Sequence, residues 1–179
     1  MEGKGERGMT RTTNARIAGV TLILYFAAGI ASLVLSGRAH ATDVLSIVTS
    51  FSALVLGVTL YAITRVQDPD LAMLGLTCRV IEAAPGHGEI YFAMGSSVFC
   101  WLLLRGRMIP VALAWLGVMA SVLLVMLLPL QIAGCFGGLR AWSSPVTWAV
   151  WLPLLVFQLT FAVWLITKGV AMPAQRQPA

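Results

Sequence analysis

Charged residues are scarce in this sequence, and cysteine, histidine and lysine are scarcer still. Of its 179 residues, 11% are Asp, Glu, Lys or Arg, whereas about a quarter of the residues in soluble domains are charged. A further 59% are hydrophobic, and they are gathered into long runs instead of being spread along the chain. This pattern excludes an ordinary soluble domain and predicts an integral membrane protein whose partner is the lipid bilayer.

The shortage of reactive side chains excludes several kinds of chemistry. His40 and His87 fall in predicted loops, which excludes haem ligation by paired helix histidines and an H-E-x-x-H zinc protease. Neither lysine lies inside an apolar run, so a retinal-type Schiff base has no candidate, and no nucleotide-binding loop is present. The sequence therefore predicts a protein that is not an enzyme and that holds no metal and no cofactor.

Cysteine gives no disulfide or metal signal. The three cysteines form no C-x-x-C pair, and their odd number argues against a disulfide framework. We expect Cys78 and Cys100 to be small apolar core residues, and Cys135 to lie in an external loop. Cys78, Glu82, His87 and Glu89 could be grouped as metal ligands, but a flexible PGHG turn at such spacing is a weak metal signal.

Six hydrophobic segments predict an all-α membrane helical bundle. They cover residues 17–35, 44–64, 71–84, 90–104, 111–128 (ending near Pro129) and 146–167. The third segment would cover about 21 Å as a helix, which is short against a hydrocarbon core of about 30 Å. The fourth is also short, and the sequence PGHG separates the two, so they form either two full crossings or a re-entrant hairpin.

The distribution of basic residues predicts the orientation. With a cytoplasmic N-terminus and six segments, nine basic residues lie inside and two, Arg38 and Arg140, lie outside, as expected for an inner-membrane protein. Residues 1–16 are then a basic cytoplasmic tail and residues 169–179 a cytoplasmic C-terminal tail, on either side of one transmembrane domain, 17–168. Basic loops beside anionic lipid explain the net charge of +5 without nucleic acid. The first apolar run is longer than the core of a cleavable signal, so we interpret it as an uncleaved span.

Arg79 and Glu82 are charged residues inside the third segment. Together with Gly75 and Gly86 they lie at helical spacings of three and four, on one face. A charge at the centre of a membrane helix costs about 2.5–3.5 kcal/mol, so this face should meet protein or water, not lipid. Two interpretations remain open: the pair is a buried structural ion pair, or it is a polar site at membrane depth for a proton, an ion or an anionic headgroup.

Small residues in other segments predict close helix packing. One side of the second segment contains the small residues Ser46, Ser50 and Gly57. In the fourth segment the small residue Gly95 is also expected to lie at a helix contact. In the sixth segment Gln158 could donate a hydrogen bond across the bundle, towards Arg79.

Four motifs together resemble one protein family. They are ARIAGV at 15–20, RVIEA at 79–83, LLLRGRMIP at 102–110 and FQLTFAVWLITKG at 157–169. In this order they resemble an uncharacterised family of bacterial multi-pass membrane proteins with a domain-of-unknown-function label, number forty-three eighty-six. The resemblance implies six helices and no assigned activity. The segment after RVIEA is shorter here than in the family, and Gln158 stands where the family suggests a glutamate. These two departures imply that a proton-linked role is weaker in this chain than in the family.

Two function classes follow. The first is a non-enzymatic membrane protein with a structural or accessory role, and the alternative is a small transporter or ion-conducting protein that uses Arg79 and Glu82. A water-filled cavity that reaches Glu82 would favour the transporter, and dry helix packing would favour the structural role. The sequence specifies neither a protein partner nor an oligomeric state.

Overall fold

The computed structural model describes residues 3–35, 37–84, 88–135 and 145–171. Within these ranges the chain is all-helical and contains no strand, which confirms the predicted all-α class. The helices are α1 (Gly3–Val34), α2 (Ala39–Thr64), α3 (Pro69–Glu82), α4 (Gly88–Arg105), α5 (Val111–Ile132) and α6 (Pro145–Thr167).

Within the described residues, four of the helices contain segments that are long and apolar enough, by length and composition, to cross a membrane. These segments are Arg11–Val34, Ala39–Thr64, Val111–Ile132 and Thr147–Thr167, in α1, α2, α5 and α6. The helix α3 has 14 residues and α4 has 18. The helices themselves therefore fall into a long class and a short class, as the segment lengths predict.

Three helix ends lie more than two residues from the predicted ones. The second helix begins at Ala39 instead of residue 44, so the prediction that His40 lies in a loop is wrong. The first helix begins at Gly3, inside the predicted basic tail. The prediction that the fifth helix ends near Pro129 is wrong, because α5 continues to Ile132 and the Ala133 N–H donates to the Pro129 carbonyl at 2.9 Å. A proline removes one backbone donor, and apolar helices tolerate this loss where neighbouring groups satisfy the freed carbonyl.

The six helices form a closed ring. Each helix packs against the next one in the chain, and α6 packs back against α1. Large apolar side chains such as Leu56, Phe99, Leu154 and Phe157 are buried in its core. Apolar side chains also cover much of the outside, including Ile47, Phe51, Met119, Met126 and Val163. Such an outer surface suits lipid, because hydrocarbon chains are as apolar as these residues.

The short third helix leaves one end of the ring open. Asp68 caps its start by accepting the Leu71 N–H at 3.1 Å, and Pro69 occupies the first turn. Short connections make consecutive helices antiparallel, so α3 runs back along α2. The helix α3 is about 21 Å long and α2 is about 39 Å long. The helix α3 therefore ends, at Glu82, level with the middle of α2. Nothing from α3 therefore covers the first half of α2.

Candidate functional site

An ion pair lies at the end of α3. Arg79 Nη1 donates to Glu82 Oε2 at 2.9 Å, and the two side chains are 2% and 5% exposed. Arg79 is the largest of the fully buried side chains. The spacing of three residues within one helix brings the two groups together, so the pair needs no other element to form.

Arg79 is held by close packing from the neighbouring helices. Its Nη2 donates to Ser96 Oγ of α4 at 3.0 Å, and the guanidinium carbon lies 4.8 Å from the centre of the Phe92 ring. A Cβ added to Gly57 of α2 would lie 2.9 Å from Arg79 Cβ, and one added to Gly95 would lie 3.1 Å from Cys78 Cβ. The absence of side chains at these glycines lets α2 and α4 approach the buried cation.

The second carboxylate oxygen of Glu82 bonds to the first helix. The Tyr25 hydroxyl donates to Glu82 Oε1 at 2.6 Å. The Tyr25 ring also stacks on Phe92, with centroids 5.8 Å apart and planes within 3°. Sequence reasoning did not identify Tyr25 or Ser96. The available signal was weak: Tyr25 is a hydroxyl-bearing residue in the otherwise mostly apolar run 17–35.

A cavity of about 480 Å³ occupies the open end of the ring and reaches Glu82. Side chains and backbone of α1, α2, α4 and α6 line it together with the end of α3. The lining residues are Tyr25, Phe26, Ser46, Thr49, Ser50, Ala53, Glu82, Ala83, Ala84, Gly88, Glu89, Phe92 and Trp151. Their charged groups are the carboxylates of Glu82 and Glu89, and no described lysine, arginine or histidine is among them.

The predicted packing residues have different positions. A Cβ on Gly75 would lie 2.9 Å from the Phe99 ring, so this glycine makes room for an aromatic ring, and its carbonyl oxygen lies 3.4 Å from the Cβ position of Gly95. Ser46 and Ser50 line the cavity instead of filling a helix contact, because α3 ends before it covers them. Gly86, and His87 of the weak metal grouping, lie outside the described residues.

Gln158 is not joined to the ion pair. It is buried in α6, which packs against α1 and α5. Arg79 donates from its two terminal nitrogens to Glu82 and Ser96, and among the described residues no hydrogen bond links it to Gln158. The two residues lie on helices that are not neighbours in the ring, which explains why the suggested contact is absent.

One family model matches part of the chain. The model of the family described as "Domain of unknown function (DUF4386)" matches residues 85–169. The predicted resemblance is therefore confirmed over these 85 residues, which are less than half of the 179-residue chain. That stretch contains the motifs at 102–110 and 157–169, whereas ARIAGV and RVIEA precede it. No curated protein and no solved structure matches the chain.

Proposed function

We propose that this protein is a multi-pass membrane protein that binds a small solute in the cavity beside Glu82, as small transporters do. The observation that carries the proposal is the cavity itself, because it extends from the open end of the ring to a buried carboxylate. Its volume of about 480 Å³ falls within the range of about 300–1,000 Å³ for small-molecule pockets. An ionisable residue at such a position within a membrane protein commonly belongs to a substrate or ion pathway.

The two members of the ion pair have different roles in this proposal. Arg79 is surrounded by α2, α3 and α4 and does not itself line the cavity, although it contacts the lining residues Glu82 and Phe92. Glu82 lines the cavity and accepts from both Arg79 and Tyr25. Arg79 therefore acts as the buried structural ion, and it holds the Glu82 carboxylate in one orientation at the cavity wall. This division of roles supports solute binding in addition to stabilisation of the bundle.

We further propose that the N- and C-termini lie in the cytoplasm of a bacterial inner membrane, as the excess of basic residues in the predicted inner loops favours. In this orientation α3 and α4 enter from the cytoplasmic side, and the cavity opens outwards. Because α3 covers about 21 Å of a hydrocarbon core of about 30 Å, its end would lie below the outer surface. Water could then reach Glu82 without crossing lipid.

Cysteine accessibility at two adjacent positions of α2 tests this proposal. Ser50 lines the cavity, whereas the next residue, Phe51, points outwards and is 67% exposed. Ser50→Cys and Phe51→Cys, each in a Cys135→Ala background, are treated with a charged, membrane-impermeant methanethiosulfonate in intact cells. We expect Ser50→Cys to react and Phe51→Cys to stay unmodified, because a thiol in hydrocarbon does not ionise.

The opposite result would favour the structural or accessory role. If Ser50→Cys stays as unreactive as Phe51→Cys in permeabilised cells as well, the cavity holds no water and the solute-binding proposal is wrong. The residues around Arg79 would then serve the packing of the bundle alone. Recovery of both variants from the membrane fraction in equal amounts, as folded protein, controls for loss of structure.

A further inference from the structure

The lining of the cavity combines carboxylates, aromatic rings and hydroxyl oxygens. We infer that the solute it binds is an organic cation, in which an ammonium group is carried on an apolar or aromatic body. This inference rests on the proposed solute-binding function and adds the chemical class of the ligand. Three independent features of the described lining residues support it: their charge, their aromatic content and their hydrogen-bonding direction.

The charge of the lining favours a cation. Glu82 and Glu89 line the cavity from the end of α3 and the first turn of α4. No described basic side chain lines it, and the guanidinium of Arg79 is directed to Ser96 and Glu82. Arg79 balances the charge of Glu82, so Glu82, Glu89 and Arg79 together have a net charge of −1, which attracts a cation and repels an anion.

The aromatic content favours an organic cation over a metal ion. Tyr25, Phe26, Phe92 and Trp151 line the cavity, and aromatic rings attract ammonium groups through their electron-rich faces. The Phe92 ring already attracts one cation, because the Arg79 guanidinium lies 4.8 Å from its centre. A hard metal ion such as Ca²⁺ requires about six to eight oxygen ligands. The described residues contain no group of three or more His, Cys, Asp and Glu side chains suited to a metal.

Two of the three α2 hydroxyl groups that line the cavity, those of Ser46 and Thr49, present acceptors to it. Ser46 Oγ donates to the Asp43 carbonyl at 2.7 Å, and Thr49 Oγ1 donates to the Leu45 carbonyl at 2.9 Å. Each hydroxyl has one proton, which these backbone bonds use, so the remaining lone pairs can only accept. Carboxylates also only accept when ionised. The polar part of the lining therefore suits a ligand that donates N–H bonds, such as a primary or secondary ammonium.

Three probes with a common phenylethyl body test the class of ligand. They are 2-phenylethylammonium, the neutral 2-phenylethanol and the anionic 3-phenylpropanoate, each titrated calorimetrically into the purified full chain in detergent. We expect the ammonium to bind and the other two probes to bind at least about tenfold more weakly. The ionic and cation–π interactions, which only the ammonium makes, together contribute more binding free energy than a tenfold change in Kd requires.

Matched variants locate the binding site. Glu89→Gln removes a lining carboxylate and should weaken binding of the ammonium by about tenfold, whereas Asp70→Asn, on an exposed residue in the first turn of α3, should leave it unchanged. Trp151→Leu should weaken binding by about fivefold or more. Trp148→Leu, on the same helix but 52% exposed, is its control.

The outcomes separate this inference from the proposed function. Binding of the alcohol or the carboxylate as tightly as the ammonium, with sensitivity to Trp151→Leu, would overturn the cation assignment and leave solute binding in place. If neither Glu89→Gln nor Trp151→Leu changes the affinity for the ammonium, the assignment would also be overturned, since the binding site would lie elsewhere. If none of the probes binds, the cation assignment is wrong, and the reactivity of Ser50→Cys decides solute binding separately.

Discussion

The Tyr25 hydroxyl lies 2.6 Å from Glu82 Oε1, although the two residues are 57 positions apart and their helices are not neighbours in the ring. The same carboxylate accepts from Arg79, and Arg79 also donates to Ser96. The four side chains thus form one hydrogen-bonded network that joins α1, α3 and α4. Because buried networks of this kind are stronger than isolated pairs, we expect each member to affect both stability and the shape of the cavity wall.

Tyr25→Phe should destabilise the protein by about 1.5–3 kcal/mol, the usual value of a hydrogen bond to a charged group. The ring and its stacking on Phe92 are kept, so the loss of stability measures the contribution of the hydroxyl group alone. Tyr91→Phe is the matched control, since Tyr91 is exposed on α4. Equilibrium unfolding in detergent measures both variants. Equal stability of the two would mean that the bond to Glu82 contributes nothing.

Arg79 and Glu82 should show strong coupling in a double-mutant cycle. Removal of one partner from a buried pair commonly costs about 3–5 kcal/mol. Glu82→Ala should cost more than Arg79→Met, because a stranded arginine cannot deprotonate whereas a stranded glutamate can take up a proton.

The double variant should recover part of that loss but not all of it. Tyr25 and Ser96 would both lose their partner, and two buried hydroxyl groups without partners have a cost of their own. Thermal unfolding of the four proteins measures the cycle. Losses that simply add would show that the two residues are stabilised independently.

Gly57→Ala should destabilise the bundle by about 1–3 kcal/mol, as overpacking of a filled core does. The added methyl group would lie 2.9 Å from Arg79 Cβ, which is close to the backbone and cannot swing away. Gly29→Ala is the control, because its Cβ would meet nothing within 4 Å. That change should stabilise α1 by about 0.5–1 kcal/mol. Similar effects of both changes on thermal unfolding would contradict the close approach of α2 to Arg79.

The proposed orientation predicts how the three cysteines react. Cys135 is exposed at the end of α5, whereas Cys78 and Cys100 are buried. In intact cells a membrane-impermeant maleimide should label the variant that keeps only Cys135. The variants that keep only Cys78 or only Cys100 should stay unlabelled until the protein is denatured. Labelling of Cys135 only after the membrane is permeabilised would reverse the proposed orientation.

The class of the protein and its local contacts follow from the amino-acid sequence. Long apolar runs with few charges require helices, because a helix satisfies its own backbone hydrogen bonds in an apolar solvent. The six helices follow the six runs closely for this reason. The Arg79–Glu82 pair is also local, since two residues three apart on a helix share a face whatever surrounds them.

The tertiary structure alone decided what surrounds that pair. Tyr25 could not be assigned to Glu82 from the sequence, because the contact depends on how α1 and α3 are arranged in the ring. The role of Ser50 likewise depends on the length of a neighbouring helix, since α3 ends at Glu82 and leaves that side of α2 uncovered. The cavity is a consequence of this difference in helix length, and no single helix contains the information that specifies it.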